Sequence, residues 1–319
     1  MPSFGLQLPS FSFAGVADSQ RFDHVAGLAR AADETGFASL WVMDHFWQLP
    51  MLGGPDEPIL EAYTLLGALA TVTERIELGT MVTGVTYRNP AMLAKIVTSL
   101  DVISHGRAVL GIGAAWYVEE HEGLGFDYPS DRERLDRLEE ALQICRGMFR
   151  EESPTFEGRY YRTREAKNIP GPLRPGGPPI LVGGSGEKRT LKLVAQYADG
   201  SNIFGSPATI RHKLDVLDRH CADVGRDPAE ITKTSLSTLI LTKDAEETAG
   251  IEALLRPSAG ADFDERFIVG DDASVIEQVA AYFDAGIDEV IVNMPTADLA
   301  AVRHAGELLN GHFGASASR

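Results

Sequence analysis

Asp44 and His45 stand side by side directly after the apolar run SLWVM in this 319-residue chain. A carboxylate beside an imidazole can hold a heteroaromatic ring and move a proton near neutral pH, because histidine titrates close to that range. The same pair also suits a loop in which the aspartate caps a helix and the histidine bonds to backbone. A second stretch, Gly183-Gly184-Ser185-Gly186, follows the run PILV and leads into helical sequence from Glu187. Amide groups of a glycine-rich bend, with the positive end of a helix behind them, form a phosphate site to which Ser185 adds a hydroxyl. The alternative is a tight turn capped by Ser185. The spacing is neither GxxxxGK[ST] nor GxGxxG.

Two further stretches carry no charge. Gly113, Ala114 and Ala115 end the run AVLGIG and precede Trp116. Small residues there let a ligand approach the backbone, or let a helix pack tightly on a sheet. The segment GTMVTG, which contains Met81 and Val82, makes either core or a flat apolar wall for a planar group. Glu119-Glu120-His121 has metal-ligating residue types, but no second cluster stands at ligand spacing and HExxH is absent, so a solvated helix start and no metal are expected. There is no GxSxG elbow, and no nucleophile has an identifiable base.

Short β-branched runs alternate with stretches of helical period along the chain. Strands are expected at 3–8, 39–43, 76–83, 107–113, 179–183, 200–204, 231–241 and 290–294. Helices are expected at 18–34, 62–73, 89–103, 131–149, 187–197, 207–224, 273–285 and 298–309, with Asn89-Pro90 a cap-plus-proline start. Eight buried strands, each followed by a helix, imply a parallel sheet, and the eighth unit completes an α/β (β/α)8 TIM barrel. A doubly wound sheet could hold the same elements. One domain over 1–319 is expected, with insertions after strands four and seven at about 154–179 and 242–269; the first is rich in Gly, Pro and Arg, with a hairpin near Glu157-Gly158. In a parallel barrel the functional face lies at the carboxyl ends of the strands, where all the residues above fall.

Composition narrows the partners. With 29 Lys+Arg against 46 Asp+Glu the net charge is −17, a field that repels phosphate backbones and anionic lipid, so neither nucleic acid nor membrane is an expected partner. The start of the chain has no basic region followed by an apolar one, so no signal peptide is read. Two cysteines, Cys145 and Cys221, fall within amphipathic helices and are expected to be buried thiols in a reducing, cytoplasmic setting.

SLWVMDHF, LGTMVT with YRNP, GRAVLGIGAAWYVEEHEGLGF and PILVGGSGEKRTL, in this order, resemble the bacterial luciferase-like superfamily, and within it the coenzyme F420-dependent oxidoreductase branch. The resemblance spans nearly the whole chain. It implies a TIM barrel holding FMN or the deazaflavin coenzyme F420 in its mouth. Asp44 and His45 match the pair beside the ring, His45 as general acid or base. Met81 and Val82 match a bulge with a non-prolyl cis peptide backing the ring. Gly113, Ala114 and Ala115 match the lining of strand four, and Gly183, Gly184, Ser185 and Gly186 the phosphate turn. Phe46, Trp47, Tyr63 and Trp116, with Phe204 and Glu61 as further candidates, would form the substrate pocket.

One departure matters. In the glucose-6-phosphate dehydrogenases of the family, strand four is followed by Thr-Gly-Glu with a catalytic Glu, whereas here Ala115-Trp116-Tyr117 stands there. No basic cluster for a sugar phosphate is recognisable either. The resemblance therefore implies hydride transfer between coenzyme F420 and a neutral, fairly apolar small molecule, in a homodimer. An FMNH2-dependent monooxygenase using dioxygen is the alternative, and a cofactor-binding protein without turnover a third reading. Specificity is expected to rest on the two insertions.

Overall fold

The computed structural model describes residues 2–295 and 298–315. Eight strands form its centre: β1 Ser3–Leu8, β2 Ser39–Val42, β3 Glu77–Thr80, β4 Ala108–Gly113, β5 Ile180–Gly183, β6 Gly200–Asn202, β7 Thr232–Leu241 and β8 Glu289–Asn293. Each pairs in parallel with the next, and β8 pairs with β1, so the sheet closes into a barrel. The open doubly wound sheet is thereby excluded.

Period-two alternation builds two cores. Outward residues such as Leu6, Leu40, Leu78, Leu110 and Val182 meet the apolar stripes of the surrounding helices. Inward residues Trp41, Met81, Val109, Leu181 and Ile291 fill the barrel itself. Complete burial of such side chains is worth roughly 1.5–3 kcal/mol each. The amino end of the barrel is closed by a polar plug: the buried Glu289 carboxyl accepts from Ser39 Oγ, which also accepts from Trp41 Nε1 at 2.6 Å. Burial raises the Glu289 pKa to about 7, with Ser39 opposing.

The helices hold the opposite end in place. Asn89 Oδ1 accepts from the amides of Ala91 (2.9 Å) and Met92 (3.4 Å) and, with Pro90 in the first turn, starts the helix Pro90–Ile103 as expected. Cys145 and Cys221 are both free and buried, and burial pushes the Cys145 thiol up to about 12.

Several elements depart from expectation. The third strand is not continuous: β3 stops at Thr80, Met81-Val82 is a cis peptide, and Thr83–Gly84 then pairs with Ile112–Gly113. The fifth-unit helix starts at Thr190 instead of Glu187, because residues 187–189 form a turn. The first insertion does carry a hairpin, Phe156–Glu157 with Arg162–Thr163, whose turn donates the Arg159, Tyr160 and Tyr161 amides to Glu140. The second ends in a strand that the eight-strand count does not include, Phe267–Gly270, which pairs with the protruding end of β7, Thr238–Leu241.

Candidate active site

At the carboxyl end of the barrel, strand register sets Gly84, Gly113, Gly183 and Asn202 in a row: Gly84 faces Gly113 and Gly183 faces Asn202, while β4 and β5 are paired up to Ile112 and Val182. Above this row lies a cavity of about 340 Å³. Asp44, His45, Met81, Val82, Gly113, Ala114, Ala115, Trp116, Gly183, Gly184, Ser185 and Gly186 all line it, with Tyr87, Thr190, Asn202 and Phe204. Neither insertion supplies a described lining residue.

The glycines have a local reason. A Cβ on Gly113 or Gly183 would come within 2.9 Å of the Val82 methyls. The small residues after β4 and β5 therefore make room for the side chain of the bulge, and Val82 forms the floor of the cavity. Gly184 has φ +112°, a conformation that L side chains rarely adopt, and its N–H donates to Asn202 O at 3.2 Å.

At one end of the cavity, Asp44 is buried and its two oxygens take Arg88 in a forked pair, at 2.6 and 3.0 Å. Arg88 also reaches Glu61 at 2.7 Å and lies 4.9 Å from the centre of the Tyr63 ring. Burial raises the Asp44 pKa and Arg88 pulls it back, burial keeping the upper hand. Arg88, part of the YRNP stretch, was not among the expected site residues. Glu61 caps the helix Ala62–Leu69 through the Tyr63 and Thr64 amides.

His45 Nδ1 lies 3.1 Å from Glu120 Oε2. The other Glu120 oxygen accepts from the amides of Phe46 and Trp47, the latter at 2.9 Å, and Oε2 also takes the Tyr87 hydroxyl. Burial pushes the Glu120 carboxyl up, but the bonds from His45, Tyr87 and Trp47 outweigh it and the net shift is downward. The expectation of a solvated helix start fails here: in the helix Val118–Leu124, Glu119 is exposed, whereas Glu120 and His121 are fully buried. His121 is spent on Tyr117 O (2.6 Å) and the Thr86 hydroxyl (2.7 Å), and no cluster of metal-ligating type exists among the described residues.

The aromatic residues separate. Trp116, 53% exposed, and Phe204, 47% exposed, stand at the mouth. Phe46, Trp47 and Tyr63 do not line the cavity. Tyr63 is buried with its hydroxyl 2.7 Å from Thr83 Oγ1, Trp47 packs on Met43, Leu49 and Tyr117, and Phe46 sits edge-on to Tyr87 at 5.2 Å.

At the other end, no side chain caps the helix Thr190–Tyr197, whose first turn adjoins Ser185 and Gly186. Arg189 is turned away to Asp136 at 2.6 Å. Asn202 gives its amide N–H to Thr234 Oγ1 at 2.8 Å, and its buried Oδ1 has no partner among the described residues.

The family model for luciferase-like monooxygenases matches residues 3–250. The chain belongs to this family. An F420-dependent glucose-6-phosphate dehydrogenase of Nakamurella multipartita is 30% identical to this luciferase-like protein over 322 residues, covering 91% of this chain and 92% of the relative. Among solved structures, the coenzyme F420-dependent tetrahydromethanopterin reductase of Methanopyrus kandleri superimposes with a TM-score of 0.79 at 20% identity, over 98% of this chain and 99% of that one. A long-chain alkane monooxygenase does so with a TM-score of 0.81 at 15% identity, over 99% and 91%. The luciferase-like barrel is thus shared by coenzyme F420-dependent and oxygen-using enzymes.

Proposed function

We propose that this luciferase-like protein is a coenzyme F420-dependent oxidoreductase that transfers a hydride between the deazaflavin and a neutral, fairly apolar organic substrate. The observation that carries the reading is a single cavity running from the Asp44–His45 pair, over Val82, to the Gly183–Gly186 turn. The names of two curated relatives, both F420-dependent glucose-6-phosphate dehydrogenases, support the coenzyme.

The residues present fit such a group. Val82, seated over the glycines after β4 and β5, gives an apolar floor, the uncapped helix start and Ser185 suit a phosphate, and Asn202 Oδ1, unpartnered among the described residues, offers an acceptor. When bound, the coenzyme supplies a carbon that gives or takes a hydride. The chain then has four tasks. Ser185, Gly186 and the first turn at Thr190 would hold the phosphate; Met81, Val82, Gly113, Ala114 and Ala115 would back the ring. Asp44, fixed by Arg88, would orient the ring edge. His45 Nε2 would take the proton of a substrate hydroxyl as the carbonyl forms, and return it in reverse.

Substrate class follows from the lining. It contains no lysine or arginine among the described residues; Arg88 is committed to Asp44 and Glu61, and Arg134 to Ala114 O, Pro129 O and Asp131. A sugar phosphate would lack a counter-ion there, whereas Trp116 and Phe204 offer apolar surface. The buried free thiols are consistent with a cytoplasmic enzyme, and we expect a homodimer.

Anaerobic mixing of the enzyme with reduced coenzyme F420 and a panel of neutral carbonyl compounds tests this. Recovery of the oxidised coenzyme's absorbance is expected with apolar members. Turnover of glucose 6-phosphate at a comparable kcat/KM would discard the substrate assignment. The second reading, an FMNH2-dependent monooxygenase, draws on the fold shared with the alkane monooxygenase. Oxygen uptake with FMNH2 and none of the anaerobic reaction would establish it instead.

A further inference from the structure

We infer that Glu120 is the positioning residue of this site: it fixes His45 as the Nδ1–H tautomer, so that Nε2 is the nitrogen presented to the cavity. The inference rests on the oxidoreductase reading for its purpose, but the arrangement itself is a property of the chain alone.

The donors and acceptors around Glu120 can be counted atom by atom. A carboxylate has two oxygens and no proton to give. Oε1 of Glu120 is filled by two backbone amides, those of Phe46 and Trp47. Oε2 is filled by the Tyr87 hydroxyl and faces His45 Nδ1 at 3.1 Å. Since the ionised oxygen can only accept, the hydrogen between them must reside on Nδ1. His45 Nε2 has no hydrogen-bond partner among the described residues, and the ring lines the cavity, held edge-on by Trp116 and Tyr117 at 5.7 Å each. Glu120 has 0% exposure and all of its strong acceptor positions are occupied, so it does not touch substrate. It acts through His45.

This assigns a role to a carboxylate that the strand-four comparison leaves out. The family position occupied by glutamate in the sugar-phosphate enzymes carries no acid here, and the nearby carboxylate comes instead from the first turn of the helix Val118–Leu124. It enters the cluster from behind the histidine, on the side away from the cavity, and so helps to place a proton instead of exchanging one with substrate.

The same count predicts the outcome of substitution. In Glu120→Gln the two backbone amides require the single remaining oxygen. The new NH2 group must then point at His45 Nδ1 and Tyr87 Oη, both of which can accept. Nδ1 becomes an acceptor and the ring converts to the Nε2–H tautomer. One nearly isosteric change should therefore invert the histidine without moving it.

The test is long-range proton–nitrogen NMR on protein labelled with 15N-histidine and free of coenzyme, with the His45 signals assigned by their loss in His45→Gln. Wild type is expected to show a protonated Nδ1 and an unprotonated Nε2, and Glu120→Gln the reverse. In the coenzyme reaction Glu120→Gln should lower kcat about a hundredfold with KM nearly unchanged, the scale of losing one general base. Tyr87→Phe, which leaves the carboxylate in place, should keep the wild-type tautomer. An Nε2–H tautomer in wild type, or a folded Glu120→Gln with the wild-type tautomer or wild-type kcat, overturns the inference. If Glu120→Gln does not fold, the wild-type and Tyr87→Phe spectra decide it. Absence of coenzyme binding by wild type would strike the oxidoreductase reading and leave the tautomer result standing.

Discussion

The methyl groups of Val82 occupy the space that a side chain at Gly183 would need: a Cβ built there lies 2.9 Å from both. The bulge after β3 and the turn after β5, 101 positions apart in sequence (183 less 82), are thus one packing unit. Gly183→Ala should push Val82 into the cavity or displace the turn. An overpacking cost of about 1–3 kcal/mol is expected in denaturant unfolding. Coenzyme affinity should fall at least tenfold, and the pair Gly183→Ala/Val82→Ala should recover part of both. Fluorescence titration and urea midpoints check it; unchanged affinity in the single variant would separate the two elements.

Arg88 serves Asp44 before anything else. Its side chain is 10% exposed and that of Asp44 1%, so removing the cation leaves a carboxylate buried without its partner. Arg88→Met should cost about 3–5 kcal/mol, the scale of breaking a buried pair, and Arg88→Met/Asp44→Asn should restore much of it. Thermal unfolding of the three proteins measures the difference. Equal losses in the single and double variants would show that the pairing with Asp44 is not what Arg88 contributes.

At the amino end of the barrel, Glu289 makes stability pH-dependent. Its carboxyl has a pKa of about 7 in the folded protein against an ordinary 4.5. The folded state therefore binds a proton that the unfolded chain has released. This contribution is fully present below pH 4.5, falls as pH rises, and is lost once pH passes 7. For about 2.5 pKa units the loss is on the order of 3 kcal/mol. Urea unfolding at pH 5 and pH 8 should show wild type losing more stability than Glu289→Gln across this range. Parallel pH profiles for the two proteins would contradict it.

Trp116 stands half-exposed beside the cavity, its ring edge-on to His45 and stacked on Tyr117. Its replacement by alanine should raise KM for an apolar substrate about tenfold, the value of roughly 1–2 kcal/mol of lost apolar contact. The Kd for coenzyme should stay within twofold. Steady-state kinetics beside a coenzyme titration resolves the two, and a loss confined to coenzyme binding would reassign the residue.

Much of this arrangement is legible before any coordinates. Parallel βα units send every strand's carboxyl end to one face, so Asp44, His45, Gly113 and Ser185 had to converge once the eight units were counted. The signals that failed are of other kinds. Glu120 reads as one more acidic residue in EEHE, because the donors that permit its burial are two amides, a hydroxyl and the His45 ring, 33 to 75 positions away. Arg88 is hidden for the same reason, its partners Asp44 and Glu61 both lying in the preceding unit, one after β2 and the other at the start of the helix Ala62–Leu69. An aromatic residue near a strand end announces burial but not on which side, so Phe46, Trp47 and Tyr63 read like Trp116, though only Trp116 reaches the cavity. The strand Phe267–Gly270 did have a visible cue in its apolar run FIVG, overshadowed by the helix Ala245–Ala259 before it, with Glu246 and Glu247 in its first turn.

The most direct measurement is a parallel titration of the purified protein with coenzyme F420 and with FMN, each followed by fluorescence, in wild type and in Ser185→Ala/Gly186→Pro. Saturable binding of coenzyme F420, tighter than that of FMN and weakened at least tenfold in the variant, is what the proposed ring-and-phosphate cavity predicts. Saturable binding of neither, or binding that ignores the changes at 185 and 186, would contradict it.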